Sequence, residues 1–118
     1  MNKRSFGTQG EAEARDYLAG RGYKVLEMNY RAAGGEIDII ASTRGVTVFV
    51  EVKRRTSERF GRPAEAVTPQ KQRHIMRAAL AYMQKHGLSD APVRFDIIEI
   101  AGDRIRQIEN AFDATDFM

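Results

Sequence analysis

Apolar and polar residues alternate in three closely spaced segments, GYKVLEMNYR from Gly22, EIDIIAS from Glu36 and VTVFVEVKRR from Val46, and again in VRFDIIEI from Val93. A period of two over such lengths predicts β-strands. Gly34-Gly35 breaks the chain between the first two, and Thr43-Arg44-Gly45 makes a tight connection to the third, so the three predict an antiparallel meander. Residues 5–21 predict a helix, with Tyr17 and Leu18 on one side and Gly22 as its stop. A second helix is predicted from Thr68, an N-cap with Pro69 at the first helical position, to His86, with Gly87 ending it and Ile75, Ala79, Tyr82 and Met83 as its core stripe. That helix allows the strand after Pro92 to join the sheet in parallel by a crossover. RRTSERFGRPAEAV, residues 54–67, reads as a surface loop, and the segment after Ile100 as a turn, a short edge strand and a tail. The expectation is one α/β domain over residues 1–118, a mixed sheet flanked by helices.

Charges threaded into these strands need an account. Alternation places Glu36, Asp38 and Ile40 on one face of the second strand, with Ile37, Ile39 and Ala41 on the other. On the third strand Glu51 and Lys53 share a side opposite Val50 and Val52. If the hairpin registers so that the charged faces coincide, Asp38 and Glu51 become neighbours. Two adjacent carboxylates resist joint ionisation unless a cation compensates them. A divalent ion does so, and Mg²⁺ (or Mn²⁺) takes one or two protein carboxylates with waters and phosphate oxygens; the Val52 carbonyl is a further candidate ligand. Lys53 beside it is suited to position water or to offset charge developing on a phosphoryl group. The competing reading is a cross-strand ion pair on a solvated face, worth ~0.2–1 kcal/mol. Phe49 and Ile40 argue for a covered sheet instead.

Composition narrows the chemistry. The 118 residues contain no cysteine, which excludes disulfides and thiolate or Cys-ligated metal chemistry. No apolar window approaches a membrane span, and the N-terminus lacks an apolar leader core, so a cytoplasmic protein without a membrane partner is expected. The formal charge of +3 is modest. Its distribution matters more: Lys53, Arg54, Arg55, Arg59, Arg62, Lys71, Arg73 and Arg77 fall within 25 residues, which suggests an anion-binding surface.

Asp38, followed on the next strand by Glu51-Val52-Lys53, resembles the signature of the PD-(D/E)XK nucleases, whose restriction-endonuclease-like core wraps a mixed sheet with helices. GxxGExxAxxYL at Gly7 to Leu18, GEIDIIA at Gly35, VFVEVKRR at Val48 and FGRPAEAVTPQKQ at Phe60 together resemble the YraN family of small bacterial proteins, itself similar to archaeal Holliday-junction resolvases. The resemblance implies Asp38 and Glu51 as metal ligands, Lys53 as the catalytic lysine, and Glu11 as an accessory acid near the metal. Ile37 stands where the superfamily motif has its proline.

Glu11 also fits a capping box with Thr8 as N-cap, and both readings stand. Gln70 and Lys71 open the second helix, whose free amides favour a DNA phosphate. Arg73 is a weaker candidate for backbone contacts, and the segment from Arg54 to Arg62, with Arg55 and Arg59, is expected to embrace DNA. Asp96 reads as a satisfied polar residue, and His86 as a terminal charge complement. The expectation is a Mg²⁺- or Mn²⁺-dependent endonuclease acting on DNA, with structure, including branched DNA, preferred over sequence. The rival is a nucleic-acid-binding or protein-interaction module without turnover. The resolvase-like relatives pair two sites, so a homodimer is one implied arrangement, though no self-complementary apolar patch is visible in the sequence.

Overall fold

The computed structural model describes the backbone of residues 3–62 and 67–112, and the side chains among them from Gln9 onward. In chain order the elements are α1 (Lys3–Gly20), β1 (Lys24–Ala32), β2 (Gly35–Thr43), β3 (Val46–Arg55), α2 (Pro69–Lys85), β4 (Val93–Ala101) and β5 (Arg104–Ile108). The strands form one mixed sheet in the order β1-β2-β3-β4-β5. The meander is antiparallel, β4 runs parallel to β3, and β5 returns antiparallel at the edge. This is the α/β architecture expected, and it is consistent with a restriction-endonuclease-like fold. No helix among the described residues is long and apolar enough to cross a membrane.

The helices cover opposite faces. Ala14 and Leu18 of α1 pack on Ile39, Ala41, Val48, Val50, Ile98 and Ile100. Across the sheet, Ile75, Met76, Ala79, Tyr82 and Met83 of α2 pack on Ile37, Ile40, Phe49, Phe95 and Ile97. Phe49 stacks on Phe95 at 5.4 Å, and Tyr82 meets Phe49 edge-on at 6.0 Å. Each such large apolar side chain contributes roughly 1.5–3 kcal/mol on burial. Thr68 caps α2 by accepting from the Lys71 amide, as predicted. Gly35 lets α2 come close: a Cβ there would lie 1.9 Å from the His74 carbonyl oxygen.

Three expectations change. Alternation along β2 is broken, because Ile37 packs with Ile40 under α2 while Ile39 and Ala41 lie under α1. The inversion falls at Asp38. On β1, Met28 pairs with Ile39 and Tyr30 with Ile37, and Asn29 between them has φ 52°, so both strands reverse their pleat at this point. An αL residue turns the backbone through its sheet plane, and asparagine tolerates it. Second, α1 begins at Lys3, which puts the Thr8 backbone inside the helix and removes it as N-cap. Third, Arg54 and Arg55 belong to β3, paired with Ile100 and Ala101, so the loop starts later than predicted. Residues 63–66 of that loop, and the tail beyond residue 112, lie outside the described residues.

Candidate active site

The β2–β3 pairing runs from Thr43↔Val46 to Ile39↔Val50 and stops there. Extended by one position, the same register sets Asp38 opposite Glu51. The Val52 amide donates instead to Asp38 Oδ2 at 2.8 Å, so a side-chain carboxylate stands where a ladder carbonyl would otherwise accept. The pleat inversion at Asp38 makes this possible. Between the parted strands opens a cleft of about 250 Å³, lined by Gly10, Glu11, Asp38, Glu51, Val52, Lys53, Arg54 and Lys71. α1 contributes Glu11 from one side and α2 contributes Lys71 from the other.

Glu51 is buried at 4% exposure, and Lys71 Nζ forms an ion pair with its Oε1. Burial and the charge of Glu51 push Asp38 up to about 7, against the opposing Val52 hydrogen bond and Lys71. Burial likewise holds Glu51 above the usual carboxylate range, although Lys71 partly offsets it. Glu11 is raised by burial and by Asp38 and Glu36, with a hydrogen bond from Asn29 working the other way. Lys71 is held above its usual range because Glu51, Asp38 and Glu36 outweigh the effect of its own desolvation. The centre is a carboxyl pair short of positive charge, and its donors are hard oxygens. Glu11 feels Asp38 without completing a triad: among the described residues, no group of three His, Cys, Asp or Glu stands close enough to hold a metal ion.

The basic residues separate into two groups. Arg54 pairs with Glu13 of α1 at 3.1 Å. Arg55 Nε donates at 2.5 Å to Glu99, which is fully buried and also accepts from the Gly61 amide and from Arg106. Burial would raise Glu99, but these donors outweigh it and hold it low. Phe60 lies against the guanidinium groups of Arg104 and Arg106, and Arg104 donates to the Glu58 carbonyl. Together these contacts fix residues 58–61 over β4 and β5. Arg59, Arg62, Gln70 and Arg73 are exposed. A larger cleft of about 780 Å³ adjoins the first, with Arg31, Gly35, Thr68, Gln70 and His74 among its lining and Lys71 common to both.

The sequence reading did not foresee the Lys71–Glu51 pair, the contact of Asn29 with Glu11, or the Glu99 network. Alternating Arg104 and Arg106 on a predicted edge strand, beside an acid in the apolar run of β4, was the available signal for the last. Asp96 is a satisfied polar residue, fully buried and accepting from Arg94, Gln107 and the Asn110 amide. The His86 ring lies 4.2 Å from that of Tyr82.

A mixed sheet between two helices, parting at a buried and a half-buried carboxyl beside lysine, defines an α/β domain consistent with the restriction-endonuclease-like class. Residues 10–100 match the uncharacterised protein family UPF0102, and the chain belongs to this family, the YraN family. It is 48% identical over 115 residues to a UPF0102 protein of Lachnoclostridium phytofermentans, covering 97% of this chain and 98% of that one. A UPF0102 protein of Geotalea uraniireducens is 47% identical over 117 residues, covering 95% and 92%, and one of Geobacter metallireducens is 46% identical over 117 residues, covering 96% of each.

Proposed function

We propose that the chain is a Mg²⁺- or Mn²⁺-dependent endonuclease that hydrolyses DNA phosphodiester bonds. The observation that carries the reading is the adjacency of Asp38 and Glu51 at the parting of β2 and β3, with Lys53 lining the same cleft. Setting a half-buried carboxyl, Asp38, beside a buried one, Glu51, costs stability that a purely structural role does not require, and carboxyls perturbed in this way, in a cleft, mark a functional site. Two carboxylates are the protein donors that Mg²⁺ ordinarily takes, the remainder being water and substrate oxygen. Asp38 and Glu51 would hold the ion, which when bound supplies an acidified water and neutralises charge on the phosphoryl oxygens.

The residues of the chain do the remaining work. The Val52 amide fixes the Asp38 carboxyl, Lys53 sets a positive charge beside the reacting phosphate, and Glu11 adds a polar wall on the α1 side. DNA backbone contacts fall to Arg59, Arg62, Gln70 and Arg73, which are exposed, because Arg54 and Arg55 are engaged in pairs with Glu13 and Glu99. Among the described residues no aromatic ribbon is available to read bases, so structure rather than sequence is proposed to guide selection, with branched DNA the leading substrate.

The test is nicking of labelled single strand, duplex, flap and four-way junction with Mg²⁺ or Mn²⁺, comparing wild type with Asp38→Asn and Lys53→Ala. Metal-dependent cleavage that both substitutions reduce by at least ~100-fold supports the nuclease. Salt-dependent DNA binding that is indifferent to Asp38→Asn, without nicking under either metal, establishes a non-catalytic binding module instead.

A further inference from the structure

Lys71 forms an ion pair with Glu51, one of the two carboxyls of the centre. Its ammonium reaches in from solvent: the lysine side chain is 54% exposed, and its partner Glu51 is 4% exposed. The backbone of Lys71 is pinned, because its amide donates to Thr68 Oγ1 at 3.2 Å and the next amide, of Gln72, donates to the Thr68 carbonyl at 2.9 Å. Any movement is therefore left to the side chain. Room for it exists, since Lys71 lines both the small cleft that holds the carboxyls and the larger cleft beside it.

The other engaged cations nearby differ in kind. Arg54 and Arg55 present planar guanidinium groups to Glu13 and Glu99, and those pairs serve α1 and the 58–61 segment. A lysine ammonium is a compact point charge on four rotatable bonds, without a fixed fork to lock it in place. It is the more exchangeable partner for a carboxylate that must later bind something else.

We infer that Lys71 is the resident counter-cation of the Asp38–Glu51 pair, an ammonium that holds Glu51 until a divalent ion displaces it into the neighbouring cleft. This rests on the metal-dependent reading above and adds to it a competition between a cation of the chain and the ion. The competition also accounts for two adjacent carboxyls being tolerated in the folded chain before any ion arrives. A ligand that must displace an internal partner has its apparent affinity reduced by the fraction of time the site is open.

The experiment measures Mn²⁺ binding to the full chain by electron paramagnetic resonance, for wild type and for Lys71→Met. Alongside it, the ammonium resonance of Lys71 in wild type is followed by NMR through a Mg²⁺ titration. Removing the competitor should tighten Mn²⁺ binding roughly three- to tenfold, as expected for loss of a half-exposed ion pair. The wild-type resonance should move toward that of a solvated lysine as Mg²⁺ saturates. Unchanged or weaker binding by a folded Lys71→Met protein overturns the inference and leaves the metal reading intact. Should that variant not fold, the wild-type titration decides: a Lys71 resonance unmoved at saturating Mg²⁺ overturns the inference by itself. Failure of wild type and variant alike to bind Mn²⁺ would overturn both readings.

Discussion

Replacing Asp38 by asparagine removes one charge from the pair it forms with buried Glu51 and keeps an oxygen to accept the Val52 amide, so its effect on stability reads the electrostatics of the site directly. In the folded chain burial and Glu51 raise Asp38 from 3.8 to about 7. Between those values the folded chain retains a proton that the unfolded chain has released. Asp38 therefore favours folding fully below its unfolded pKa, and that contribution is lost as pH rises through the folded value. A rise of about 3 units at 1.36 kcal/mol each sets a ceiling on the order of 4 kcal/mol. Glu51 shares the same proton and screening reduces the rest, so about 2 kcal/mol is expected.

The assay is thermal unfolding in a chelator from about pH 5 to about pH 8. At ~3–5 °C per kcal/mol for a chain of this size, Tm of Asp38→Asn should gain roughly 6–10 °C on wild type across that range and exceed it at the upper end. Glu11, also raised, keeps the contribution of burial in both proteins and loses that of Asp38 in the variant, which adds to the expected gain in the same direction. Glu99 is lowered, so its contribution is lost only as pH falls below the usual carboxylate range, outside the window. Lys71 and Tyr82 are raised from values of 10 or more and also fall outside it. A difference between the proteins that stays constant with pH, or a variant less stable than wild type near pH 8, would refute the reasoning.

Three further outcomes are expected. Glu99→Ala strands the guanidinium groups of Arg55 and Arg106 and should cost about 3 kcal/mol in urea unfolding, with faster proteolysis near residues 58–61. Gly35→Ala drives a methyl into the His74 carbonyl, and because the obstacle is helix backbone the substitution should cost about 3 kcal/mol or prevent folding, as denaturation would show. The double substitution Arg59→Ala with Arg62→Ala should lower the slope of log affinity for duplex DNA against log salt by about 2, read by fluorescence anisotropy; an unchanged slope removes both residues from the interface.

Much of this architecture was legible because it depends on local rules. The apolar runs in VTVFVEVKRR and VRFDIIEI follow from covering both faces of a strand, and the parallel β3–β4 pair follows once a helix intervenes. Thr68-Pro69 announces the start of α2 through the chemistry of its own first turn. The short turn at Arg44-Gly45 brings β2 back along β3, and the register it sets, extended one position past its last pair at Ile39 and Val50, carries Asp38 to Glu51.

What the sequence by itself determined about this protein is therefore the set of elements, the family, and the placing of Asp38, Glu51 and Lys53 on adjacent strands. Only the tertiary structure decided how those residues are used. The pleat inversion at Asp38 depends on Asn29 of another strand taking a left-handed backbone, which no pattern within β2 reveals. The division of the basic cluster into internal partners and exposed residues depends on Glu13 and Glu99, 41 and 44 positions away from their arginines. Lys71 meets Glu51 because α2 lies across the face from which that carboxylate projects. Strand period and helix caps act over a few residues, whereas a buried charge finds its partner through space, and the chain must fold before that partner is defined.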